Sequence, residues 1–248
     1  MNRREFLKTS ALAGSALAAG CSSLLGKPGF YGPTIRDRLW MWGHHPAKGE
    51  TTFKDAFKEH WGGKAIDQAA GCRLMGIPND CVIRWGGMPR YPWGDYFEQF
   101  RQLKRFSFGI TDGASGGLLE KMRIAFEELK PNFPNFTGCF LDDYFCKHDI
   151  GQKQLPIEQV AERVRRFRDF IGPEKDMLLG LYMWDYTLHA PVAGALMEKQ
   201  LEYALRFLRD GTVSGLIFHP SYLASLEVPS VRLSKDWIAA HGEDLWNA

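Results

Sequence analysis

Long apolar runs are what this chain most obviously lacks. No stretch reaches the ~20 residues a helix needs to cross a bilayer, which excludes a helical membrane-embedded architecture. Charge of one sign is missing too: 31 Lys and Arg face 29 Asp and Glu, and Arg3, Arg4 and Lys8 against Glu5 account for the whole excess. The remainder is neutral and has no electrostatic footprint for nucleic acid. No G-x-G-x-x-G and no G-x-x-x-x-G-K-[ST] follows any candidate strand, so the nucleotide-binding α/β proteins lose their main signature. The absence of C-x-x-C removes the common structural zinc sites, and H-x-H and H-E-x-x-H are absent as well. What is present is ordinary globular composition over 248 residues, 45% hydrophobic and 24% charged, with a rich aromatic share that includes eight Trp.

The N-terminus reads as an address. Arg3-Arg4-Glu5-Phe6-Leu7-Lys8 followed by the weakly apolar Ala11–Ala19 is similar to a twin-arginine export signal. Ala18-Ala19-Gly20-Cys21 is similar to a lipoprotein box that would acylate Cys21, with Leu17 one position earlier than usual. The expected division is a signal over 1–21, a linker over 22–34 and a single domain over 35–248. The expected location is the periplasm, with the membrane met only through a lipid at Cys21. Of the five Cys, four then remain: Cys72, Cys81, Cys139 and Cys146. They permit two disulfides in an oxidising compartment or remain buried thiols.

Beyond the linker, short apolar runs alternate with amphipathic ones. Strands are expected at Leu39–Gly43, Cys81–Trp85, Phe106–Thr111, Thr137–Tyr144, Met177–Trp184 and Val213–His219. Between them, Leu118, Met122, Ala125, Phe126 and Leu129 recur at helical spacing. The same holds for Ile157, Val160, Ala161, Val164 and Phe167, and for Met197, Leu201, Ala204, Leu205 and Leu208. Near-continuous apolar strands suit a parallel sheet covered on both faces, and strand–helix alternation means βα units in an α/β domain. The expected fold is a TIM-like (β/α) barrel contracted to six or seven strands, since eight strands typically take ~250 residues.

In such a fold the chemistry sits at the C-terminal strand ends. Those ends carry Trp42 and His44-His45, Arg84-Trp85, Thr111-Asp112, Asp142-Asp143-Tyr144, Trp184-Asp185-Tyr186 and His219. Adjacent Asp142 and Asp143 point to opposite sides of a strand. Paired with Asp185 or Asp112, one of them would supply the two carboxylates of glycoside hydrolysis, an acid for the leaving oxygen and a nucleophile or base. Trp42, Trp85 and Trp184 suit stacking on sugar faces, with His44, Arg84, Tyr144, Tyr186 and His219 completing the substrate-binding set. The bland alternatives are capping or ion-paired carboxylates and core tryptophans. No cofactor or metal is expected under the hydrolase reading. A competing reading places a divalent ion among His44, His45, Asp112, Asp142 or Asp143, and His219, as in a sugar isomerase or epimerase.

Three segments, FTGCFLDDYF (136–145), LLGLYMWDYT (178–187) and SGLIFHPSYLASLEVPSVRLSKDWIA (214–239), together resemble a group of exported bacterial (β/α)-barrel proteins of glycoside-hydrolase type and uncharacterised activity. In that group a "TGV-hydrophobic-DDFF" strand, a "GCY-hydrophobic-WDY" strand and a "GIIFL…DWI" close follow in this order. The resemblance covers the second half of the chain and, more loosely, Tyr91–Asp112. It implies shared polar positions at Asp142, Asp143, Trp184, Asp185 and Tyr186. It also implies that about two βα units are missing between Asp143 and Trp184. The resulting expectation is a glycan-active hydrolase, or else a lipoprotein that binds carbohydrate without turning it over.

Overall fold

The structure, a computed structural model, describes residues 31–45, 66–84, 87–109, 118–140, 156–173, 176–185, 188 and 190–246. Eight strands are assigned: β1 Leu39–His44, β2 Asn79–Ile83, β3 Arg105–Gly109, β4 Phe136–Phe140, β5 Leu178–Tyr182, β6 Trp184–Asp185, β7 Ala190–Pro191 and β8 Gly215–His219. The helices are α1 Gln68–Met75, α2 Gly94–Phe97, α3 Leu118–Asn132, α4 Ile157–Ile171, α5 Gly194–Arg209 and α6 Pro229–His241, with 3₁₀ turns at Arg36–Arg38, Glu98–Phe100 and Ser221–Ser225.

Six strands form one parallel sheet in the order β4-β3-β2-β1-β8-β5, and β6 and β7 form a small antiparallel pair. The sheet's last strand in sequence, β8, lies beside its first, β1. Each sequential step moves the same way along the sheet, except that the chain passes from β4 at one edge to β5 at the other. The direction reversal that marks a doubly wound sheet does not occur among the described strands. No pairing of β4 with β5 is present among the described residues either. The architecture is thus a helix-flanked six-stranded parallel α/β sheet.

The alternation of side chains along each strand separates two unequal cores. On the helix side, Leu39, Met41, Val82, Phe106, Phe108, Leu216 and Phe218 pack against helical Ala69, Cys72, Leu129, Met197, Leu201 and Ala204. On the other side, Trp40 and Cys81 pack with Tyr31, half-buried Trp42, Leu178 and Ile217. The fold therefore includes Tyr31, which lies inside the expected linker. An aromatic cluster locks the first half: Phe106 lies 5.1 Å from Phe97, 5.6 Å from Phe100 and 5.4 Å from Phe136, ring centroid to centroid.

Local signals explain the element ends. Asp67 caps α1 by accepting from the Ala70 amide at 2.5 Å, and Gly76 ends it in a left-handed conformation at φ 66°. Gly43 is required for close approach: a Cβ there would fall 2.0 Å from Ser221 Oγ. The expected buried stripe of α5 holds at Met197, Leu201, Ala204 and Leu208. That of α4 holds only in part. Ala161 and Val164 are buried, but Val160 and Phe167 are 40% and 53% exposed. The chain places α4 between the two edge strands, and it packs mainly on α5, so one narrow seam takes its burial.

Candidate functional site

Among the described residues, the sequence-predicted site residues that come together are those of β1, β8 and β5. Tyr182 and His219 are register partners, and the β1–β8 ladder, with Met41 opposite Phe218, brings Trp42 level with His219 at its next step. Side chains of neighbouring strands at one level face each other across the sheet. The result is a row of three rings at the C-terminal strand ends. His219 stacks on Trp42 at 3.7 Å and 29°, and its other neighbour, Tyr182, is tilted against it at 4.6 Å and 38°. The imidazole is sandwiched, and Tyr182 ends the row with 47% of its surface exposed. Sequence analysis did not single out Tyr182; its place directly opposite His219 appears only once strand register is known.

The row continues on the first half of the sheet. Cys81 pairs with Trp42 and Ser107 with Cys81, and the Ser107 hydroxyl donates to Cys81 Sγ at 3.6 Å. Cys72, Cys81 and Cys139 are all thiols, so no disulfide forms among them. Cys72 and Cys81 belong to the cores on opposite faces of the sheet, which rules out a bond between them. Arg84 follows β2, its amide donating to the Gly109 carbonyl at 2.9 Å and its Nε to the Pro89 carbonyl at 3.4 Å. Its guanidinium spans the loop while burial lowers its pKa.

Two expected residues take structural roles. Trp184 is 1% exposed and belongs to the helix-side core, which corrects its assignment to a ligand-stacking surface. The cause is the bend after Tyr182. Met183 and Trp184 turn into the β6–β7 hairpin, where Val192 N–H donates to the Met183 carbonyl at 3.0 Å. Asp185 Oδ1 accepts from the Leu188 amide at 3.0 Å and so closes its own turn. His45 lies 4.8 Å from the Tyr96 ring, on the helix side, and burial lowers its pKa. His44 is placed by its backbone, opposite Ile83. Among the described residues no three His, Cys, Asp or Glu gather around a common point, and no helix is long and apolar enough to cross a membrane. Cys21, Trp85, Asp112, Asp142, Asp143, Tyr144, Cys146 and Tyr186 lie outside the described residues.

Two features were missed on sequence. Asp80 on β2 is 0% exposed and neither carboxyl oxygen has a hydrogen-bond partner. Burial pushes its pKa well up, which favours the neutral form. It faces α1, on the opposite side of the sheet from Trp42. The Asn79-Asp80 pair opening an apolar run was its signal. The second is Gly113-Ala114-Ser115-Gly116-Gly117, which has the G-x-S-x-G spacing of a serine nucleophile elbow between β3 and α3. Sequence analysis sets a Ser-His-Asp triad aside for want of such an elbow; the spacing is in fact present at 113–117, and Ser115 lies outside the described residues. Comparisons with protein families, curated proteins and solved structures return no match for this chain.

Proposed function

We propose that this protein is an exported, glycan-active hydrolase whose sheet curls toward a contracted (β/α) barrel. The observation that carries the reading is the Tyr182–His219–Trp42 row at the C-terminal strand ends. Flat apolar rings with polar edges are what a saccharide ring, apolar on its faces and hydroxylated at its rim, packs against. The sheet order supports the curl, because β8 beside β1 is the neighbour relation of a barrel's last and first strands. The reading places the carboxylates on Asp142 or Asp143, after β4, with Asp112 or Asp185 as partner. A second reading, carbohydrate binding without turnover, is favoured by one fact: Asp185 spends an oxygen on its own turn.

The test is a panel of oligosaccharides read by tryptophan quenching and by new reducing ends. Quenching with product for the native chain, and quenching without product for Asp143→Asn, is the expected result. Quenching without product in the native chain selects the binding protein. No quenching with any glycan overturns both. Ser115→Ala is expected to leave turnover unchanged.

A further inference from the structure

Both ends of the sheet expose large apolar side chains. Helix C-termini lie at the end where strands begin, and there Leu74 (α1), Phe170 (α4) and Leu245 (after α6) stand out at 47%, 84% and 52% exposure. The chain also enters the fold here. Tyr31 is buried against Trp40 and Cys81, Thr34 bridges Leu245, and Ile35 N–H donates to the Asp244 carbonyl at 2.9 Å. Tyr91, Leu188 and the ring row lie toward the opposite end, where strands finish.

The leash length then decides orientation. Nine residues, 22–30, separate Cys21 from Tyr31. The nine residues and the flanking bonds can span at most about 35 Å. A domain of about 215 residues has a radius of gyration of about 17 Å, equivalent to a sphere of about 22 Å radius. Running a leash around half of that sphere takes about 70 Å, twice the available length. A bilayer anchor at Cys21 therefore cannot bring the far end to the membrane.

We propose that the strand-start end of the domain rests on the lipid bilayer, with Phe170, Leu74 and Leu245 at the interface, and that the Trp42–His219–Tyr182 end faces away from it. The proposal rests on the lipoprotein reading of Cys21. The ligand chemistry is an acyl-chain and headgroup boundary, which accepts exposed Phe and Leu.

The test uses the full chain, acylated in a bacterial host and reconstituted into phosphatidylethanolamine–phosphatidylglycerol vesicles. A benzophenone amino acid replaces Phe170, Leu245, Tyr91 or Leu188, one at a time; all four are exposed, so folding is not at stake. Lipid adducts at 170 and 245 at least tenfold above those at 91 and 188 are expected. Equal or reversed labelling in a protein whose mass carries the acyl group overturns the orientation alone. A mature protein whose mass lacks the acyl group overturns the anchor, and the orientation with it.

Discussion

Replacing Asp80 with Asn isolates a fully buried carboxyl of the described fold. The carboxyl is fully buried on β2, beneath α1. The titratable groups facing it are Cys72 and the α1 cap Asp67 from one helix and Tyr96 from α2. The Cys72 thiol and Cys81 amide lower its pKa a little without meeting hydrogen-bond geometry, and burial overrides them. Unfolded, the group titrates near 3.8; folded, well above. Between those values the native state holds a proton that the unfolded chain has released. Stability from this group is thus complete below pH 3.8 and is lost as pH rises toward the folded pKa. The slope is about 1.4 kcal/mol per pH unit. In a domain of this size that is about 3–6 °C in Tm per unit. Asn has the same shape and no such slope. Thermal melts of both proteins from pH 4 upward are expected to diverge, the native chain losing Tm relative to Asp80→Asn until the folded pKa is passed. Cys72 and Tyr96 do not contribute, since burial pushes both above their ordinary alkaline values. A constant offset between the two profiles would refute the neutral, buried carboxyl.

Two further perturbations probe the ring row and the aromatic core. Trp42→Ala removes the ring on which His219 stacks; at about 0.5–1.5 kcal/mol for one aromatic contact, glycan affinity by titration is expected to fall roughly 2- to 12-fold, and unchanged affinity would remove the row from the site. Phe106→Ala leaves a void among Phe97, Phe100, Phe133 and Phe136 and is expected to cost about 3–5 kcal/mol in denaturant unfolding.

Strand content was legible because burial on both faces writes itself as unbroken apolar runs. Residues 39–43 and 213–219 contain the observed β1 and β8 almost residue for residue. Buried stripes were legible where a helix packs on the sheet, as in α5, and misleading in α4, whose Val160 and Phe167 satisfy the period but meet solvent. Periodicity reports that a face is apolar, not that anything covers it. At the site, Trp42 and His219 were legible from their strand-end positions, whereas Tyr182 needed register and Trp184 needed the bend at Met183. Neither register nor a bend is encoded in local spacing. Asp80 escaped because polar residues were sought at the ends of strands, and this one lies near the start of β2.

Strand order constrains which carboxylates can work together under the proposed hydrolase reading. Asp112 follows β3 and Asp142-Asp143 follow β4, and these strands are neighbours. Their ends are about 4.8 Å apart, so a pair drawn from Asp112 and Asp143 needs no curling of the sheet. Asp185 follows β5, at the opposite edge. In a flat sheet, five strand spacings would put it about 24 Å from Asp143, far beyond the ~5–9.5 Å that either hydrolytic geometry tolerates. Asp185 can act with Asp143 only if the edges are brought together, the same closure that would bring the ring row over the carboxylates. The partner of Asp143 is thus a readout of closure. Loss of turnover in Asp112→Asn with activity kept in Asp185→Asn assigns the chemistry to the β3–β4 side of the sheet, with no closure required. The reverse result requires β4 and β5 to approach, and with them the two halves of the site.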